Sequence, residues 1–108
     1  MSVRERVLAG LKWLLDNRPV ETVDIDVDNL NVANAHMCPL GQTGGYWDTL
    51  NTIIPKSGDM ENSEWLDAHD AQTEWAIAHG FQISTDDVEC ADDEYAALNE
   101  EWRRVLSV

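Results

Sequence analysis

Residues 2–16, Ser-Val-Arg-Glu-Arg-Val-Leu-Ala-Gly-Leu-Lys-Trp-Leu-Leu-Asp, decide the fold class because they have the pattern of an amphipathic α-helix. Ser2 and Glu5 stand at the spacing of a capping box, which predicts where the helix starts. Asn17 and Pro19 predict its end. The predicted buried face consists of Val3, Val7, Leu11 and Leu14, widened by Leu8 and Leu15.

Two later segments show the same periodicity and predict two further helices. Residues 63–79 have Ser63 in position for an N-cap and end at Gly80. The predicted helix over 94–106 has acidic residues at its start, at 92–94, and Arg103 and Arg104 near its end, both favourable to the helix dipole. The predicted buried faces are Leu66, Ala68, Ala71, Trp75, Ala76 and Ala78 on the first and Tyr95, Leu98, Trp102 and Val105 on the second.

The middle of the chain is less regular. The alternation Thr-Val-Asp-Ile-Asp-Val-Asp at 22–28 predicts a short edge strand with its aspartates in water, and residues 81–83 are a candidate partner. Pro39 predicts the first residue of a short helix, and another helix is expected through 46–54. We therefore expect a mainly α fold, a compact helical single domain over 1–108. It contains at most a short two-stranded β element and has a loop or insertion near 55–64.

Composition excludes several classes of function. The 108 residues include 21 acidic and 7 basic side chains, a formal net charge of -14. This charge argues against direct binding to nucleic acid or to an anionic membrane surface. No apolar run is long enough to span a bilayer, and the N-terminus lacks a signal-peptide core, so a cytoplasmic location is expected. The two cysteines are too few for a disulfide framework and are expected to be free thiols.

Short motifs resemble those of a known group. Cys-Pro-Leu-Gly-Gln at 38–42, then Gly-Tyr-Trp at 45–47, resembles the Cys-x-Leu-Gly-Gln core of a group of small actinobacteriophage and prophage proteins. Ile-Asp-Val at 25–27 precedes that core, and His-Gly-Phe at 79–81 and a terminal Leu-x-x-x-Trp-Arg at 98–103 follow it, as in the group. The resemblance implies a phage origin and the host cytoplasm as location, but no chemistry, because the group carries no established activity.

Cys38 and His36 are the weak candidates for catalysis. A thiol just before Pro39 would lie at a helix N-terminus, where the dipole favours the thiolate, and His36 could act as its base. The alternative is a small buried hydrophobic residue beside Leu40. The neighbouring sequence shows no acidic residue to orient His36 and no glycine-rich segment of the kind that forms an oxyanion hole, so an enzyme is the less favoured class.

The sequence predicts no metal and no cofactor. Of the possible soft ligands only His36 and Cys38 are close in sequence, and no zinc motif is present. The aspartates of 24–28 imitate a calcium loop, but Asn29 and Ala35 stand where glycine and a bidentate glutamate are required. The glycine-rich stretch at 42–45 lacks the lysine and the spacing of a phosphate loop.

The acidic residues are concentrated toward the C-terminus. Residues 1–21 have a net charge of +1, residues 22–62 of -5 and residues 63–108 of -10. In a phage protein this distribution suggests mimicry of DNA. However, one net charge per roughly 430 Å² of expected surface is sparse beside about one per 100 Å² for duplex DNA. A solvated, non-specific acidic surface is the plain alternative.

We therefore predict a small acidic phage accessory protein that binds a host or defence protein with a basic surface. The predicted interaction residues are Asp67, Asp70, Glu74, Asp86, Asp87, Glu89 and a partly exposed Trp65. A small cysteine-dependent enzyme or redox protein that uses Cys38 with His36 is the alternative. Homo-oligomerisation is a third hypothesis.

Overall fold

The computed structural model describes residues 2–56, 58–85 and 87–107, and it is mainly α, as predicted. Its helices are α1 (Val3–Asn17), α2 (Pro19–Val23), α3 (Pro39–Gln42), α4 (Tyr46–Ile53), α5 (Asn62–Ala78) and α6 (Val88–Leu106). These ranges contain no β-strand. None of their helices is long and apolar enough to cross a membrane.

Helix α1 lies at the centre of the fold and packs against both α5 and α6. Its capping box forms as predicted, since the Glu5 N–H donates to Ser2 Oγ (3.1 Å) and the Ser2 N–H donates to Glu5 Oε1 (3.4 Å). The core draws on every longer helix and on the irregular segments between them. It consists of Val7, Leu14, Ile25, Leu30, Val32, Cys38, Leu40, Tyr46, Leu50, Ala76, Phe81, Leu98 and Trp102.

Two glycines permit a close approach between α1 and the end of α5. A Cβ added at Gly10 would lie 1.9 Å from the His79 carbonyl oxygen and 2.9 Å from the Trp102 ring. Gly80 has φ +74°, a conformation that favours glycine, and it ends α5 where the sequence predicted. The carbonyl of Gly80 accepts a hydrogen bond from the buried Trp102 indole at 2.7 Å. The two glycines thus allow α1, the end of α5 and α6 to pack closely, and the Trp102 hydrogen bond links α6 to the end of α5.

The predicted strand at 22–28 is wrong, and it does not pair with 81–83. Residues 19–23 are helical, and Val23 is 76% exposed, so the alternation does not mark one buried face. Asp26 instead accepts from both the backbone N–H and the side-chain amide of Asn29, a local turn that competes with a strand. Arg103 donates to the carbonyls of Val27 and Leu30, which gives this irregular backbone its partners.

Helix boundaries and faces differ from the prediction in several places. Helix α5 begins at Asn62 with Glu61 as N-cap, so Ser63 is not the cap. Helix α6 begins at Val88, because the Asp87 carboxylate accepts from the Glu89 N–H (2.9 Å), and the acidic residues at 92–94 therefore lie inside the helix. Three side chains assigned to buried faces are exposed: Leu8, Leu15 and Leu66.

Candidate interaction surface

The outward face of α5 carries an acidic stripe, defined here as Glu64, Asp67, Asp70 and Glu74. All four residues are exposed. Their spacing of three, three and four residues places them on neighbouring positions of one face. The opposite face of the helix is buried through Gln72 and Ala76. Three of the predicted interaction residues thus lie together, with Glu64 added by the structure.

No positive side chain within α5 balances the acidic stripe. The helix contains no lysine or arginine, and no stripe carboxylate forms an ion pair with a described residue. Like charges at these spacings destabilise a helix by about 0.2–0.5 kcal/mol per pair. The helix dipole favours only the acidic residue in the first turn, Glu64. Neither an ion pair with a described residue nor the helix dipole therefore stabilises the charges of Asp67, Asp70 and Glu74.

The other predicted acidic patch has a structural role in part. Asp87 is the N-cap of α6, so its carboxylate is engaged by the backbone of Glu89. Glu89 itself is exposed in the first turn, where the helix dipole favours a negative charge. Asp86 lies outside the described residues. Capping and the helix dipole thus account for Asp87 and Glu89, whereas neither accounts for most of the acidic stripe.

Trp65 does not lie with the acidic stripe. At 100° per residue it is about 160° from Asp67 and 180° from Glu74 around α5. Its ring is near-parallel to that of His69 one turn later, with centroids 5.3 Å apart. The ring of Trp47, from α4, is also near-parallel to His69, at 6.0 Å. The two tryptophans are 49% (Trp47) and 37% (Trp65) exposed, so both reach the surface.

These three rings, Trp47, Trp65 and His69, are called the aromatic box below. The ammonium of Lys56 lies 4.5 Å from the Trp65 ring centroid and 5.0 Å from that of Trp47. It is also 3.0 Å from His69 Nδ1. Of these residues, only Trp65 is among the interaction residues that the sequence predicts. The spacing of Trp65 and His69 indicates that they are neighbours on one helix, but the approach of Trp47 and Lys56 depends on how α4 packs against α5.

Cys38 is fully buried and caps α3. Its Sγ accepts from the Gly41 N–H (3.2 Å) and donates to the Ala35 carbonyl (3.7 Å). Burial raises the pKa of the Cys38 thiol, against the weaker lowering by hydrogen bonds from Gly41 and Leu40. A nucleophilic cysteine requires a stabilised, accessible thiolate. These features favour the reading of Cys38 as a small core residue.

His36 is exposed, and it borders a shallow cavity of about 250 Å³ that also touches Trp47 and Asp48. Its backbone N–H donates to Asn34 Oδ1 (2.8 Å), which fixes the turn before α3. Within the described ranges, no three His, Cys, Asp or Glu side chains are grouped to hold a metal ion.

Comparison of the chain with protein-family models, with curated proteins and with solved structures finds no match.

Proposed function

We propose that the protein acts by binding a basic partner protein through the acidic stripe of α5. The observation that carries this proposal is the set of four exposed carboxylates on one helix face, without a lysine or arginine in the helix. Mutual repulsion within the stripe is relieved when a basic surface covers it. Attraction of this kind accelerates association and weakens as salt concentration rises.

Charge density favours a basic protein patch over a site built for a whole DNA duplex. The net charge of -14 over 6436 Å² corresponds to one charge per about 460 Å². A duplex has about one per 100 Å². Along the stripe, however, the four charges lie between residues 64 and 74, which are roughly 15 Å apart along the helix axis, so the mean spacing is about 5 Å. A single DNA strand has one phosphate per about 3.4 Å. A narrower form of the proposal is that the acidic stripe mimics the phosphates of a single DNA strand.

The resemblance to phage proteins suggests where the partner is found. A small phage protein works among host proteins, and those that handle nucleic acid carry basic surfaces. The proposed partner is therefore a nucleic-acid-binding or defence protein of an actinobacterial host. The proposed location is the host cytoplasm.

The proposal is tested by replacing all four stripe residues (E64Q, D67N, D70N and E74Q). A tagged protein is incubated with actinobacterial lysate at low salt and then washed with a salt gradient. We expect the wild type to retain a specific protein that high salt releases, and the stripe variant to lose it.

The matched control neutralises four other exposed acidic residues that form no side-chain hydrogen bond or ion pair with the described residues: Asp28, Asp92, Asp93 and Glu100. Both variants have a net charge of -10 instead of -14, so only the position of the charges differs. The control should keep the partner. Equal loss in both variants, or no salt-sensitive partner for the wild type, contradicts the proposal.

A second candidate function is self-association through an apolar groove of about 350 Å³ between α1, α2 and the end of α6. Leu15 and Val23 line it and are exposed. Light scattering measures the mass in solution. A defined oligomer that dissociates in L15Q supports this candidate, and a monomer rejects it.

A further inference from the structure

The aromatic box already holds an ammonium group in an unusual environment for this chain. Lys56 is one of two lysines in a protein with 21 acidic residues, yet it forms no ion pair with a described carboxylate. Its ammonium lies over the faces of Trp47 and Trp65 and beside His69 Nδ1. Indole faces attract cations because of their negative quadrupole. The box is thus chemically suited to an ammonium ion.

Core packing does not account for the box. Trp47 and Trp65 are each more than a third exposed, whereas Trp102 is fully buried and its indole donates to a backbone carbonyl. Lys56 belongs to the segment between α4 and α5, three residues after α4 ends at Ile53. Its side chain can leave the box without separating the contacts between helices. The rings would then form an open site for another cation.

We propose that the aromatic box binds a lysine side chain of the basic partner, and that Lys56 is an internal occupant which this lysine replaces. A lysine fits better than an arginine because the position beside His69 Nδ1 is filled by a compact ammonium, not by a planar guanidinium. The net charge of -14 attracts the incoming cation. The choice of partner rests on the proposed function, but the affinity of the box for ammonium does not.

Competition by Lys56 has a measurable consequence. Because Lys56 occupies the box, a free ammonium binds only the fraction of wild-type molecules in which Lys56 has left it, and the apparent Kd rises in inverse proportion to that fraction. An occupancy of about nine-tenths by Lys56 raises the apparent Kd about tenfold. Removal of Lys56 should therefore tighten the binding of an external alkylammonium. We expect at least a tenfold lower apparent Kd when the internal competitor is absent.

The test uses n-butylammonium chloride, which reproduces the end of a lysine side chain, against sodium chloride at equal ionic strength. The indole N–H signals of the five tryptophans are followed by NMR in the wild type, in K56M and in K56A. The matched control is K12M, which removes the other lysine and the same charge. We expect saturable shifts of the Trp47 and Trp65 signals in both Lys56 variants, and wild-type behaviour in K12M.

The outcomes separate the box from the acidic stripe. Absence of saturable shifts in both K56M and K56A, with the helical circular dichroism retained, overturns the proposal. The proposal is also overturned if K12M binds butylammonium as tightly as the two Lys56 variants do. Binding of butylammonium must also disappear when W65L is added to K56A, and persist when the four stripe substitutions are added to K56A instead. If the box binds butylammonium but no partner is retained from lysate, the proposed function and the assignment to a partner lysine fail while the ammonium site stands.

Discussion

The guanidinium of Arg6 and the carboxylate of Glu94 form an ion pair at 3.0 Å that is almost excluded from water. Their side chains are 7% and 13% exposed. Arg6 also donates to the carbonyls of Ile77 (2.7 Å) and Gln82 (2.5 Å). Glu94 accepts from the backbone N–H and hydroxyl of Ser84. The pair therefore joins α1, the end of α5, the following loop and α6.

Replacing Arg6 by methionine should destabilise the protein by about 3 kcal/mol or more, because it leaves the Glu94 carboxylate without its cation in a largely buried position. The free energy of unfolding is measured by urea denaturation. The control is K12M, which breaks the exposed pair with Asp16 (side chains 81% and 62% exposed). Its cost should stay below about 1 kcal/mol. Equal costs for the two variants would show that the Arg6 pair is not structural.

Glu94 should also make stability depend on pH. Partial burial acts to raise the pKa of this carboxyl, but hydrogen bonds from Ser84 and Arg6 and the charge of Arg6 outweigh it, and the net pKa is lowered from 4.5. A lowered folded-state pKa means that the unfolded chain binds more protons than the folded chain. The stability that Glu94 contributes is therefore fully present above about pH 4.5. It is lost as pH falls from that value through the folded-state pKa.

The E94Q variant isolates this effect. The difference in unfolding free energy between wild type and E94Q should be largest near neutral pH and shrink as pH falls below 4.5. Urea denaturation at several pH values between about 3 and 7 measures it. Parallel curves for the two proteins over this range would exclude Glu94 as the titrating group.

Because α1 packs so closely against the end of α5, replacing Gly10 by alanine should destabilise the protein. Alanine there places a Cβ 1.9 Å from the His79 carbonyl oxygen, so the helices must separate. Overpacking of this kind costs about 1–3 kcal/mol, and the helix propensity of alanine recovers only about 1 kcal/mol of it. G58A is the control, because nothing lies within 4 Å of its added Cβ. Thermal unfolding should show a lower Tm for G10A alone.

The long helices could be predicted from sequence because their periodicity follows from burying one face. Val7 and Leu14 of α1 and Leu98 and Trp102 of α6 lie in the core as expected. The start of α6 was misplaced because three consecutive acidic residues resemble a first turn. The side chain that actually caps the helix is Asp87, five residues before the first of them.

What could not be predicted depends on contacts between distant residues. The alternation at 22–28 is typical of a strand, but Arg103 holds the Val27 carbonyl from 76 positions away and favours an irregular path. The aromatic box likewise needs Trp47 from α4 and Lys56 from the following loop. Periodicity reports which side of an element is apolar, and it carries no information on such tertiary partners.

The two cysteines should differ sharply in reactivity. Cys38 is buried and its thiol pKa is raised chiefly by that burial, whereas Cys90 is exposed at the start of α6. Iodoacetamide at neutral pH should therefore modify one thiol per folded chain, and mass spectrometry of peptides should place it at Cys90. In a C90S variant the folded protein should stay unlabelled until urea unfolds it. Rapid labelling of Cys38 in folded C90S would show an accessible thiolate and would favour the cysteine-dependent alternative with His36 over the binding function.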